Sequence, residues 1–195
     1  MSTWFTSDWH FCHHKPFLYE PRGFQDVLSM NETIIQNHNE WVEPDDDVYC
    51  LGDCILSDNM KGMECVRRMN GKLHIILGNH DTEARRSLYM TSCPNVVEVV
   101  EAKRIKINGY HFFLCHYPVI CSRLDDDKAL ETKCISLCGH SHTKDPFADI
   151  DKGLIYHCEV DAHELRPVSF QHIIVDILRR SLERKDQDEW MAELQ

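Results

Sequence analysis

The sequence predicts a mixed α/β fold in which two sheets pack as a sandwich, and two observations predict it. Up to about residue 95, short apolar runs alternate with stretches of helical periodicity, the pattern of parallel strands joined by helices. From Val96 the texture turns to β, and Asn108-Gly109 between two strand-like runs is a strong two-residue hairpin signal. Alternation followed by hairpins argues against a purely doubly wound sheet. At 195 residues the chain suits one domain with a real core.

Each element has its own reason. Thr3 to Ser7 reads as a strand running into Asp8-Trp9-His10, followed by an aromatic and histidine-rich loop, Phe11 to Phe17. Ser29-Met30-Asn31-Glu32 resembles a capping box, and Ile34, Ile35, His38, Trp41 and Val42 give the helix after it one apolar face. Glu43-Pro44-Asp45-Asp46-Asp47 stops that helix as a solvated turn. Val48 to Leu51 is a strand running into Gly52-Asp53. Ser57 or Asp58 caps a second helix, whose Met60, Met63, Val66 and Met69 read as core. Leu73, Ile75, Ile76 and Leu77 form a buried strand between Asn70-Gly71 and Gly78, and Asn79, His80 and Asp81 stand at its carboxyl end. A third helix runs from Glu83 to Met90 and closes at Cys93-Pro94-Asn95.

In the second half, Val96 to Val100, Arg104 to Ile107 and Tyr110 to Cys115 are strands, the last ending in His116-Tyr117-Pro118. Leu124 to Glu131 is an acidic loop or short helix. Ile135 to Cys138 runs into Gly139-His140-Ser141-His142, and Leu154 to Cys158 and Phe170 to Ile177 read as late strands. The expected domain therefore spans 1–177. A charged helix over 178–195, with Leu182, Trp190, Met191 and Leu194 as anchors, packs on it or on a partner.

Hydrophobic residues make up 43% and charged residues 27%, an ordinary soluble balance, and the longest apolar run is far short of a membrane span. The N-terminus has neither a basic leader nor an apolar core region, so no secretion signal is expected. The ten cysteines lack paired CxxC spacing and several sit in apolar runs, which fits reduced, buried thiols in a cytoplasmic protein. A structural zinc site at Cys50/Cys54 or Cys134/Cys138 has only loose spacing behind it. The formal charge of −11 argues against an extended grip on duplex nucleic acid. It does not exclude a phosphate substrate, because a pair of divalent cations outweighs two ligand carboxylates.

Five strand ends deliver Asp8, His10, Asp53, Asn79, His80, His116, His140 and His142 to what can be one rim, at the sheet edge where open α/β folds place ligands. Carboxylate, amide and imidazole donors suit Mn, Fe, Zn or Co, and Mg less well. Two such ions about 3.5–4 Å apart bind and polarise a phosphate and ionise a bridging water, so that hydroxide attacks in line. The leaving oxygen then needs a proton, and His80, flanked by Asn79 and Asp81, is the natural general acid.

Taken as an ordered set, Asp8-x-His10, Gly52-Asp53, Gly78-Asn79-His80-Asp81, His116 and Gly139-His140-Ser141-His142 resemble the calcineurin-like metallophosphoesterase superfamily over nearly the whole chain. Phe5 to Phe11, Met30-Asn31-Glu32, Pro44-Asp45-Asp46 and Arg166-Pro167-Val168-Ser169 are similar to a group of small bacterial and phage phosphoesterases. The resemblance implies a four-layer αββα sandwich of two mixed sheets. It implies one metal on Asp8, His10, Asp53 and His142 and another on Asp53, Asn79, His116 and His140, with Asp53 bridging and His80, beside Asp81, protonating the leaving group. The implied substrate is a phosphomonoester or small phosphodiester, a nucleotide among them, with manganese as the expected metal. Rival readings are a phosphoprotein phosphatase, a nuclease, or a binding scaffold with a dead site.

The chain also departs from that group. Where its members often read Asn-Val-Gly-Val-Asp, this chain has His157-Cys158-Glu159-Val160-Asp161, a difference that bears on the substrate pocket. The glycine often found after Phe11 is Cys12. Of the other histidines, His38, His74 and His111 read as packed or surface residues, whereas His13 is a candidate for a substrate-side role. Arg22, Arg123 and Lys144 are the cations that could meet a phosphate.

Overall fold

Strand–helix alternation builds the first sheet. In the computed structural model, which describes residues 1–193 and side chains through residue 186, strands β1 (Thr3–Thr6), β2 (Asp47–Cys50), β3 (Lys72–Ile76) and β4 (Val96–Val100) lie parallel in the order β4-β3-β2-β1. The short β9 (Val168–Ser169) adds antiparallel to β1. The second sheet, ordered β5-β6-β7-β8, contains β5 (Ala102–Ile107), β6 (Tyr110–Cys115), β7 (Cys134–Cys138) and β8 (Ile155–His157). The Asn108-Gly109 turn makes β5 and β6 antiparallel, with Ile107 facing Tyr110, while β6, β7 and β8 run parallel. The mixed α/β sandwich that the alternation and the hairpin predicted is present, as two mixed sheets with the flanking helices that the resemblance implied.

Two cores hold the layers. Helices α2 (Val27–Trp41), α3 (Asn59–Arg67) and α4 (Glu83–Ser92) bury Met30, Ile34, Met63, Val66 and Tyr89 against Val48, Leu73 and Ile75 of the first sheet. Between the sheets, Phe5, Leu51 and Ile76 meet Phe112, Leu114, Leu137 and Tyr156. Each aliphatic side chain so buried contributes roughly 1.5–3 kcal/mol.

Several expectations change, and Trp41 and Leu182, read as apolar-face and anchor residues, are exposed. Phe170 to Ile177 is not a strand: it opens helix α5 (Phe170–Glu193), and Phe170, Ile173, Ile174 and Ile177 enter the inter-sheet core. Those positions are i, i+3, i+4 and i+7, a helical stripe that β-branched content disguises as a strand. Helix α2 starts before Ser29, with the Asp26 carboxylate accepting from the Ser29 N–H, so aspartate is the cap. Met60, in the first turn of α3, is 64% exposed, while Met63, Val66 and Met69 are core as expected. Asp58 caps α3, and Leu124–Glu131 is loop with a single 3₁₀ turn at Leu130–Thr132. The Trp190, Met191 and Leu194 side chains lie outside the described residues. Among the described residues no helix is long and apolar enough to cross a membrane.

Candidate metal centre

Parallel pairing puts the carboxyl ends of β1, β2 and β3 on one edge, and the carboxyl ends of β6 and β7 face them across the sandwich. Asp8 and His10 follow β1, Asp53 follows β2, Asn79 and His80 follow β3, His116 follows β6, and His140 and His142 follow β7. The loops are tied to one another. Asp8 N–H donates to Gly52 O at 3.0 Å, His10 N–H to Asp53 O at 3.0 Å, and Gly139 N–H to His116 O at 3.0 Å.

These loops turn sharply. Asp8, His10, Asp53, His140 and His142 all have left-handed backbone, with φ of 58, 49, 53, 74 and 50°. Each costs an L-residue about 1 kcal/mol, and strain of this kind clusters at functional sites. Close approach also demands glycine. A Cβ on Gly78 would stand 2.2 Å from Asp53 Oδ1, and one on Gly139 would stand 2.3 Å from Asp8 Oδ2.

The side chains then converge acceptor to acceptor. Asp8 spends Oδ2 on the Ser7 hydroxyl (2.5 Å) and the His140 N–H (2.9 Å), leaving Oδ1 buried without a hydrogen-bond partner. That oxygen lies 3.6 Å from Nε2 of both His10 and His142, which are 3.0 Å apart. Asp53 likewise gives Oδ1 to the His80 N–H at 2.9 Å and turns Oδ2 inward, 3.6 Å from His10 Nε2 and 3.6 Å from His116 Nε2. On the far side of Asp53, Asn79 Oδ1 lies 2.9 Å from His116 Nε2 and 2.8 Å from His140 Nδ1, and the two ring nitrogens are 3.2 Å apart. His116 donates Nδ1–H to Leu51 O at 2.7 Å, so in the neutral ring Nε2 carries the lone pair.

A neutral His116 Nε2 and Asn79 Oδ1 therefore face each other as two acceptors with no proton between them. A cation between them would satisfy such a contact, as it would the orphaned Asp8 oxygen. The spacing fits one: ligand bonds of about 2.1 Å give edges of about 3.0 Å in an octahedron and 3.4 Å in a tetrahedron. Ligand atoms of Asp8, His10 and His142, and of Asp8, Asp53 and His116, fall within 4.8 Å of one another as candidate groups. The donor set holds oxygen and imidazole nitrogen without sulfur.

Outer contacts aim these groups. Burial would raise the Asp8 pKa, but the imidazoles of His10 and His142 outweigh it and hold the carboxyl well below its ordinary range. Burial lowers the His10 pKa. His142 Nδ1 donates to Asp161 Oδ2 at 2.9 Å, and Arg22 grips both oxygens of Asp161 at 2.8 and 2.7 Å. Arg22 also reaches Asp8 O at 2.8 Å, so it buttresses the site from behind. Asp81 lies beneath the rim. Its Oδ2 accepts from the N–H groups of Asp53 (2.8 Å) and Gly78 (2.9 Å), and its Oδ1 from the Tyr89 hydroxyl (2.6 Å). Burial raises its pKa.

Asp8, His10, Asp53, Asn79, His116, His140 and His142 are thus brought together, with His80 beside them; Asp81 points away. His80 and Asp53, with His13, Phe17, Asn79 and Lys144 among other residues, line a cavity of about 430 Å³. His157 and Glu159 do not. Both are fully buried and bonded to each other at 3.1 Å, and Glu159 Oε1 accepts from the Thr143 N–H at 3.2 Å, so they support the His140–Thr143 loop from below. Of the three candidate cations, Lys144 lines this cavity, Arg22 is paired with Asp161, and Arg123 lies in a separate hollow with Cys121 and Thr132. Sequence reasoning passed over Tyr89 and the part played by Asp161. Asp161 follows β8 just as the inner residues follow their strands, and that placement was the available signal. The cysteines are free; Cys50 and Cys54 sulfurs are 3.4 Å apart, buried, and no histidine or carboxylate completes a zinc set with them among the described residues.

Residues 1–158 match the calcineurin-like phosphoesterase superfamily domain. An uncharacterized protein of Methanocaldococcus jannaschii is 32% identical over 174 residues, 86% of this chain and 86% of that one. The crystal structure of a protein of unknown function from Aquifex aeolicus is similar in fold, with a TM-score of 0.68 at 21% identity over 88% of this chain and 97% of its own. Domain match and a rim of candidate metal ligands agree: the chain belongs to the calcineurin-like phosphoesterase superfamily, metal-dependent hydrolases of phosphate esters.

Proposed function

We propose that the protein hydrolyses phosphomonoesters or small phosphodiesters, nucleotides among them, at a site for two divalent metal ions. The observation that carries this reading is the inward Asp53 Oδ2, at 3.6 Å from both His10 Nε2 and His116 Nε2 and so common to two acceptor groups. Asp8, His10, Asp53 and His142 hold one ion; Asp53, Asn79, His116 and His140 hold the other. The mixed oxygen and nitrogen donors favour manganese, with Fe, Zn, Co or Mg as substitutes. When bound, the pair polarises the phosphoryl oxygens and supplies an ionised water as nucleophile.

The chain's own residues do the rest. His80, whose side chain is 43% exposed, presents Nε2 to the cavity 3.9 Å from Asp53 Oδ2 and donates the proton that the leaving oxygen takes. The His80 carbonyl accepts from Arg85, and its N–H donates to Asp53, so the ring is carried on a pinned backbone. Asp81 acts through Asp53 and Gly78 by holding their N–H groups. Phe17, Leu18 and Pro21 give the cavity one apolar wall, which suits an organic ester group beside the phosphate.

The test is to strip the protein of metal, add back Mn, Zn, Fe or Mg, and follow hydrolysis of bis-p-nitrophenyl phosphate and p-nitrophenyl phosphate. Two ions bound per chain and metal-restored turnover, both lost in Asp53→Asn, are expected. A single bound ion at full activity, or unchanged metal content and turnover in Asp53→Asn, overturns the dinuclear assignment. The preferred ester separates diesterase from monoesterase.

A further inference from the structure

His13 is a buried histidine that neither group of metal-ligating atoms includes, and the loop around it is built at a cost. Phe11 is fastened to the neighbouring strand end, its N–H donating to Cys54 O at 3.0 Å and its carbonyl accepting from Leu56 N–H at 2.9 Å. The next residue, Cys12, turns left-handed at φ 66°. That turn is pinned, because Cys12 N–H donates to the Asn31 side-chain oxygen at 3.3 Å and the Asn31 amide donates to Cys12 Sγ at 3.7 Å. His13 is thereby folded back so that its own N–H donates to His10 O at 3.1 Å. The strained residue serves to return one imidazole to the cavity.

The imidazole is fixed in orientation and in tautomer. Its ring stands edge-on between His10 (5.7 Å, 86°) and Phe17 (5.2 Å, 82°), and the residue is 6% exposed. Nδ1 accepts the Lys15 N–H at 3.2 Å. The neutral ring must then carry its proton on Nε2, and that N–H has no acceptor among the described residues. His13 lines the same cavity as His10, Asp53, His80 and His142. That Nε2–H is thus free for an acceptor that arrives with the substrate.

We propose that His13 donates its Nε2–H to a non-bridging oxygen of the substrate phosphoryl group, and is thus a substrate-binding residue of the reaction. This rests on the phosphoesterase site described above. A phosphate ester offers such oxygens at the metal pair, and Arg22, the nearby guanidinium, is already occupied by Asp161. A neutral donor also adds no charge to a centre that two cations already make positive.

The experiment uses the full-length manganese-loaded protein and inorganic phosphate as probe. Phosphate affinity is measured by calorimetry for wild type, His13→Ala and His13→Gln, with metal content of each and kcat and KM for p-nitrophenyl phosphate alongside. A hydrogen bond to a charged oxygen predicts phosphate binding weakened about tenfold or more in His13→Ala with metal content retained. Glutamine, which returns an N–H donor, should recover most of that loss. Phosphate affinity unchanged in His13→Ala, or a loss that follows metal content, or no recovery in His13→Gln, overturns the assignment. Wild-type protein that holds two ions and binds no phosphate refutes the phosphoesterase site itself, and the proposal with it.

Discussion

Asp81 tests whether a buried carboxylate moves protons or holds the backbone of the rim. Its carboxylate accepts three donors, the N–H groups of Asp53 and Gly78 and the Tyr89 hydroxyl, at 2.6–2.9 Å, and only 8% of the residue is exposed. Asp81→Ala leaves the buried Asp53 N–H and the half-buried Gly78 N–H without a partner, at roughly 1–3 kcal/mol each, or about 4 kcal/mol together. For 195 residues the unfolding entropy is about 0.4 kcal/mol per kelvin, so the melting temperature should fall by about 10 °C. Tyr89→Phe removes one hydrogen bond to a charged oxygen, about 2 kcal/mol, and should cost about 5 °C.

Asp81→Asn is the informative variant. With its amide oxygen toward Asp53 and Gly78 both N–H groups stay paired, and the amide N–H₂ can donate to the Tyr89 oxygen once that hydroxyl turns. The metal-loaded enzyme should then keep its turnover within about tenfold. A residue that transfers a proton loses about 10²–10⁴-fold when it cannot ionise. The assay is therefore kcat for p-nitrophenyl phosphate beside thermal unfolding and metal content. A hundredfold loss in Asp81→Asn with metal and melting temperature intact refutes the positioning role, and so does a shift under about 2 °C in Asp81→Ala.

His80→Ala should retain both ions and slow the hydrolysis of phenyl phosphate more than that of p-nitrophenyl phosphate; an equal loss on both esters argues against proton donation. Asp161→Asn leaves the His142 ring less firmly aimed, and metal titration should show affinity lower by about 10–100-fold, whereas an unchanged affinity would detach Asp161 from the site. His38, 1% exposed, donates Nε2–H to Asn70 O at 2.9 Å and leaves Nδ1 without a partner, and burial lowers its pKa from 6.5 to about 4. Because the unfolded chain takes up that proton first, stability is full above about pH 6.5 and declines as pH falls toward 4, by up to about 3 kcal/mol. His38→Gln, which cannot protonate, should show a shallower decline in urea unfolding over that window; parallel curves would refute the assignment.

Much of the fold was legible because periodicity and breaks fell in step. Leu73 to Leu77 ends at Gly78, Val48 to Leu51 at Gly52, and Asn108-Gly109 marks the hairpin, so strand ends and the chemistry after them were located together. Phe170 to Ile177 was misread because a buried helix and a buried strand of that length carry similar apolar content, and only the i, i+3, i+4, i+7 spacing separates them. In the site, the inner residues were visible because each directly follows a strand. Tyr89 was not, and Arg22 was read as a phosphate-side cation instead of a brace on Asp161, since each acts through another side chain that only the packing of α4 or of the α1 loop (α1, Pro16–Tyr19) brings near. His157 and Glu159 were read toward the pocket because sequence shows that a residue differs without showing which way it faces.

What sequence could not reveal at all is the backbone conformation of the rim, and that conformation links metal to stability. Asp8, His10, Asp53, His140 and His142 are left-handed, about 5 kcal/mol of strain at about 1 kcal/mol each. The acceptors that Asp8, His10 and Asp53 bury repel one another besides. A cation held at a thousand times its dissociation constant contributes about 4 kcal/mol, which is of the same size. The loops cannot relax singly, because Asp8 N–H is bonded to Gly52 O and His10 N–H to Asp53 O. Strain and repulsion are thus imposed by the two cores through the strand ends, and bound metal would offset them at the centre. On the proposed reading the bound charge would hold the rim in the geometry that hydrolysis needs, so metal loss should loosen the Asp8–His10 and His140–His142 loops while α2–α4 and the inter-sheet core keep their packing.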